Sequence, residues 1–280
     1  MTPDQFKDIS YAKDSSGIVT LTFNTPKRKN ALSLYTFLEI YHAIDAFEKD
    51  DSAHAMILTG AQDPDSDDPS KEAYSSGGYF NPDAFDGLSR EIMQQMDMSD
   101  IAQKRTTLKI FQCDKPILAA VNGLVIGGAY TLTLVGADQV FMSEHAWIQL
   151  PFAKLGVSAE LGSSLLLPRL LGLQRAKEML FYSEKIDAEQ ALQLQLANKV
   201  LPHSELLAYT REQALKLIPP NGAGMAIREM KKLLHEPQVA AISDALDREN
   251  RALQKLFASA DFAEGLTARI ERRPPVFKGA

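Results

Sequence analysis

From Pro116 to Ala137 the chain reads PILAAVNGLVIGGAYTLTLVGA, a run without one charged side chain. A single helix of that length and polarity could cross a bilayer, so the fate of this run decides what the chain can become. Asn122-Gly123 and Gly127-Gly128 interrupt it. ILAAV before them reads as a buried strand, and AYTLTLVGA after them as a short buried helix. The run therefore predicts strand, glycine turn and helix inside a globular core rather than a membrane span.

The same alternation recurs upstream. GIVTLTF, Gly17 to Phe23, puts Val19, Leu21 and Phe23 on one face of a strand. Ser33 then caps a helix whose apolar positions are Leu34, Phe37, Leu38, Tyr41, Ile44 and Phe47. AMILTG follows as a strand, and QVFMS and AWIQL as two more after the glycine turns; beyond Glu160 the pattern becomes helical. A first half of alternating strands and helices followed by helices predicts an α/β core with a helical C-terminal part. Pro219-Pro220-Asn221-Gly222 is the clearest break, which divides the chain into a core of residues 1–218 and a helical region of residues 219–280. With 280 residues, 45% of them hydrophobic, the chain is long enough to bury a full core.

Charge and cysteine content narrow the function. A formal net charge of -6 argues against nucleic acid or an anionic membrane as the main partner, because both favour a basic face. The single cysteine, Cys113, excludes an internal disulfide and a multi-cysteine zinc site and fits a reducing compartment. MTPDQFKDIS lacks the character of a signal peptide and VFKGA is no targeting tripeptide, so a cytoplasmic location is expected. Asp63, Asp65 and Asp67 are spaced like a calcium loop, but that pattern lacks its central glycine and has Tyr74 at its last position, so a solvated loop is expected. Dinucleotide, P-loop, nucleophile-elbow and zincin signatures are missing, and the five histidines show no ligand spacing.

Two glycine turns and one isolated acid remain. SSGGYF follows the AMILTG strand and its loop, and VIGGAY follows ILAAV and opens a helix. Each can present backbone N–H groups with no side chain in the way. Two such groups converging make an oxyanion hole, and the helix after Gly127-Gly128 adds its partial positive charge. Paired glycines also serve simply to let a helix pack closely on a sheet. The acid is Glu160 in LGVSAELGSSLLLP, alone among apolar and small residues until Arg169. From its neighbours alone it reads first as an acid complementing the start of a helix, and only second as a base raised by desolvation.

FNTPKRKNALS, ILTGA with YSSGGYF, AAVNGLVIGGAYTLTLVGADQVF and DFAEGLTARIERRPPVFKG, in that order, resemble the crotonase, or enoyl-CoA hydratase/isomerase, superfamily. The resemblance implies a spiral of ββα units, a helical trimerisation region that builds a homotrimer or hexamer, an acyl-CoA thioester as substrate, and no metal or separate cofactor, coenzyme A being part of the substrate. Gly78 and Gly128 match the family's oxyanion-hole positions, although Gly78-Tyr79 stands where the family usually has Ala-Asp after the first glycine. The two positions that carry glutamates in hydratases are here Thr131 and Phe152. The Phe152-to-Glu160 spacing is similar to that of peroxisomal-type Δ3,Δ2-enoyl-CoA isomerases, which implies that Glu160 is a single catalytic base, with Leu161 replacing a common glycine. Lys27, Arg28, Lys29 and Ser76, together with Phe277 and Lys278, match positions that bind the acyl-CoA. The implied activity is a shift of a 3-enoyl double bond to the 2-trans position, in β-oxidation. The alternatives are a hydratase or another reaction of the superfamily, and a non-catalytic acyl-CoA binder.

Overall fold

The computed structural model describes residues 1–280 with the side chains of Pro82 and Met98 set aside. Ten strands build two sheets. The first contains β1 (Ile9–Lys13), β2 (Ile18–Phe23), β3 (Ala55–Gly60), β5 (Ile117–Val121), β7 (Gln139–Ser143) and β10 (Lys199–Leu201), in that spatial order. The second contains β4 (Ala73–Ser75), β6 (Leu124–Ile126), β8 (Trp147–Gln149) and β9 (Ile186–Asp187). Only β1 with β2 and β8 with β9 pair antiparallel. Consecutive strands β3 and β4, β5 and β6, and β7 and β8 step from the first sheet to the second, so the chain winds as a spiral of ββα units.

The helices are α1 (Leu34–Lys49), α2 (Arg90–Met93), α3 (Thr107–Gln112), α4 (Gly128–Gly136), α5 (Ser163–Leu171), α6 (Leu173–Tyr182), α7 (Ala188–Gln193), α8 (Leu206–Leu217), α9 (Gly224–His235), α10 (Val239–Phe257) and α11 (Ala260–Glu271). A wide-turned π-helix, Met98–Thr106, runs straight into α3. None of these helices is long and apolar enough to cross a membrane.

Local chemistry sets these elements. Ser33 accepts the Thr36 N–H at 3.1 Å, and Thr36 Oγ1 accepts the Ser33 N–H at 3.0 Å, a reciprocal cap worth about 1 kcal/mol that starts α1 where expected. On β2, Val19, Leu21 and Phe23 enter the main core under α1, while Ile18 points the other way and joins Ile57, Leu118, Ala120 and Phe141 beneath α8. The first sheet is thus covered on both faces. That is why ILAAV is apolar throughout rather than alternating. The charge-free run differs from expectation in one respect: the residues between its two glycine turns form β6, a strand of the second sheet, so the run supplies two strands before its helix. The largely helical part after Glu160 likewise contains two short strands, β9 and β10, which extend one sheet each.

Candidate active site

The parallel neighbours β4 and β6 end side by side, and the two glycine turns follow them. Gly77 has a φ of 83°, and a Cβ there would sit 2.5 Å from Ile126 O and 3.8 Å from the Gly127 Cα, so only glycine lets the two turns come this close. Gly127 has a φ of 53° and donates its N–H to Gln149 O at 2.9 Å. Gly128 then opens α4, where the first N–H groups of a helix have no partner within it. Among the described residues, neither the Gly78 nor the Gly128 N–H finds an acceptor. Gly78 is oriented by its neighbours: Leu32 N–H donates to Gly77 O and Tyr79 N–H to Leu32 O, both at 2.8 Å.

Glu160 comes to the same place. Its turn precedes α5, with Leu161 at a φ of 53° and Gly162 at 80°, two successive left-handed residues. A Cβ on Gly128 would stand 2.9 Å from Glu160 Oε1. The other carboxylate oxygen, Oε2, accepts a hydrogen bond of 2.7 Å from Gln103 Nε2 on the π-helix. Burial of the carboxyl pushes its pKa up to about 7; the Gln103 hydrogen bond works against that rise and the negative charge of Glu249 adds to it. A carboxylate poised near neutrality beside unpartnered N–H groups can take a proton from a carbon next to a carbonyl whose oxygen those groups hold.

The two positions where hydratases carry acids are filled without a carboxylate. Thr131 is fully buried and turns its hydroxyl back to Gly128 O at 3.3 Å, while a Cβ on Gly127 would stand 3.9 Å from the Phe152 ring.

The binding candidates are brought together in part. Ser76 N–H donates to Lys29 O at 2.9 Å and Ser76 Oγ to Arg28 O at 3.3 Å, so Ser76, Lys27, Arg28 and Lys29 form one rim next to the first glycine turn. Arg28 is already engaged: it pairs with Asp8 at 2.6 Å and lies 4.5 Å above the Tyr79 ring. Lys27 and Lys29 are exposed. Phe277 and Lys278 sit elsewhere, on an exposed tail whose Lys278 and Gly279 N–H groups bond to Asp261, and no hydrogen bond from them reaches the glycine turns.

Two residues of this arrangement escape a reading of the sequence. Gln103 carries no signal at all, since nothing in QKRT marks a partner for an acid far along the chain. Glu249 carries one, because it occupies the buried stripe of α10 between Leu246 and Leu253. A further trio, Ser143, His203 and Glu72, is linked at 3.1 and 3.3 Å in the pattern of a hydrolase triad. Ser143 is fully buried, so this trio ties strands together and offers no nucleophile.

The sequence profile described as enoyl-CoA hydratase/isomerase matches residues 13–280. A probable enoyl-CoA hydratase of Rhodobacter capsulatus is 31% identical over 265 residues, covering 95% of this chain and 96% of the relative. A short-chain-enoyl-CoA hydratase of Clostridium acetobutylicum is 29% identical, covering 91% and 92%. The crystal structure of an enoyl-CoA hydratase/isomerase from Pseudoalteromonas atlantica superposes with a TM-score of 0.81 at 26% identity, over 97% of this chain and all (100%) of the other.

Proposed function

Because the chain belongs to the enoyl-CoA hydratase/isomerase family, we propose that it is an acyl-CoA isomerase that moves a 3-enoyl double bond to the 2-trans position with Glu160 as its one base. The observation that carries this reading is the Glu160 carboxyl lying against Gly128, with Thr131 and Phe152 rather than acids at the two hydratase positions. The thioester oxygen sits between the Gly78 and Gly128 N–H groups. Glu160 takes a proton from carbon 2, the electron pair moves onto that oxygen as an enolate, and the protonated Glu160 returns the proton to carbon 4 as the carbonyl re-forms. A pKa of about 7 suits both halves of the cycle, base and acid, near neutral pH.

Lys27, Lys29 and Ser76 take the phosphate-bearing part of the coenzyme, with Phe277 and Lys278 reaching it across an assembly; no separate cofactor takes part. Exposed apolar residues in the C-terminal region, Met225 at 81%, Leu233 at 72% and Leu234 at 68% on α9, support assembly into a homotrimer or hexamer.

The relatives' names favour a second reading, hydration of a 2-enoyl-CoA. Addition of water needs a group to orient the water and another to supply a proton, and neither position expected to carry a carboxylate for that, Thr131 or Phe152, has one. Purified protein offered 3-enoyl-CoA and 2-enoyl-CoA of several chain lengths separates the two. Isomerisation faster than hydration by orders of magnitude is expected; comparable formation of 3-hydroxyacyl-CoA overturns the isomerase reading.

A further inference from the structure

Glu249 is a charged residue where α10 should be apolar. It lies in the stripe Ile242, Ala245, Leu246, Glu249 and Leu253, and it is only 5% exposed. A carboxylate buried this way persists only when its oxygens are satisfied. Both are: Gly162 N–H donates to Oε2 at 2.8 Å and Ser164 N–H to Oε1 at 2.9 Å. These donors flank the start of α5, and Gly162 is itself the second of the left-handed pair, Leu161 and Gly162, that follows Glu160 in its turn. A left-handed leucine costs about 1–2 kcal/mol against its right-handed form, so the turn needs an outside partner to persist. Charge-assisted bonds from a carboxylate to a helix N-terminus are among the stronger ones available. Another side of α10 grips the π-helix, through Asp247 with Lys104 and Asn250 Nδ2 with Ser99 O at 2.9 Å.

We propose that Glu249 is the positioning residue of the catalytic base: its buried carboxylate, bonded to the Gly162 and Ser164 N–H groups, locks the turn that carries Glu160. The inference rests on the assignment of Glu160 as base. The other charges on the elements around the turn are neutralised or distant. Lys104 pairs with Asp247, Arg105 with Asp100, Lys154 with Glu184 and Arg248 with Asp244. Arg169 lies at the far end of α5 against Gln238, Arg251 and Lys255 face solvent, and α4 carries no charge. Among the described residues Glu249 has no ion pair, and its negative charge adds to the rise that burial gives the Glu160 pKa, against the Gln103 hydrogen bond.

The test uses Glu249→Gln and Glu249→Ala in the intact protein, with Glu160→Gln as reference. Glutamine keeps one acceptor and loses the charge; alanine loses both. In Glu249→Gln the acid limb of the kcat profile should move to lower pH, with KM for acyl-CoA unchanged. In Glu249→Ala kcat should fall at least tenfold at the same KM, in protein that retains its helix content and assembly size. Infrared titration reads the base without any assay: the carboxyl band that disappears in Glu160→Gln should titrate at lower pH in Glu249→Gln. If that band and the acid limb stay at their wild-type pH in a folded Glu249→Gln variant, the inference fails. A fully active Glu160→Gln instead overturns the assignment of the base.

Discussion

Gln103 Nε2 lies 2.7 Å from Glu160 Oε2, and the same amide leaves its Oε1 buried without a hydrogen-bond partner. The bond fixes one oxygen of the carboxylate while the other faces Gly128, and it favours the charged form. In Gln103→Leu the donor is gone while the volume is nearly kept. The Glu160 pKa should then rise further and the acid limb of activity move to higher pH, opposite to the shift expected of Glu249→Gln. A pH–rate profile of the two variants side by side checks both signs.

Removing the base itself is the more direct measurement. Glu160→Gln preserves shape and hydrogen-bonding capacity, so turnover should fall by about 10²–10⁴ while acyl-CoA binding changes little. Titration calorimetry with a non-reactive thioester, run beside the kinetics, separates the two effects.

The same substitution should make the protein more stable in alkaline buffer. In the folded protein burial holds the Glu160 pKa near 7, against 4.5 for a free side chain, so the folded state keeps a proton that the unfolded chain releases. Stability therefore falls as pH rises from about 4.5 to about 7, and above that range the buried charge costs on the order of 3 kcal/mol. Glu160→Gln escapes this cost. Its melting temperature should match wild type near pH 4 and exceed it at pH 8; equal curves at both values would falsify the buried-charge account.

Gly128→Ala keeps the backbone N–H yet introduces a Cβ where Glu160 Oε1 now lies, 2.9 Å away. The obstructing atom is the end of a flexible side chain, so the fold should accept the change. The carboxyl should not keep its aim: kcat is expected to drop at least about a hundredfold, the low end of the range for a positioned acid–base group. Near-wild-type turnover in the folded variant would show that the Glu160 carboxyl does not act from its place against Gly128.

Reversing exposed charges tests the binding rim. Lys27→Glu with Lys29→Glu should raise KM for acyl-CoA, most strongly at low ionic strength, and leave kcat nearly unchanged. Arg28→Ala should instead lower thermal stability, since Arg28 is held by Asp8 and Tyr79.

Much of this was readable before any coordinates. Periodicity located β2 and β3, Ser33 marked the start of α1, and Glu160 stood out as the one charge in an apolar segment. What could not be read has a common physical cause. Gln103 meets Glu160 across 57 residues, and Glu249 meets Gly162 across 87, so each contact is created by the winding of the sheets and the docking of helices rather than by any local pattern. β6 was hidden for a different reason: three residues between two glycine turns are too few to show a period.

The grip of α10 on the Glu160 turn also orders events in time. Translation delivers the paired strands and both glycine turns while Val239–Phe257 is still to be made. A nascent chain can assemble both glycine turns first, whereas the helix that holds the Glu160 turn follows them by about a hundred residues. A chain cut before α10 would therefore carry both turns but leave the Gly162 and Ser164 N–H groups without the carboxylate that bonds them.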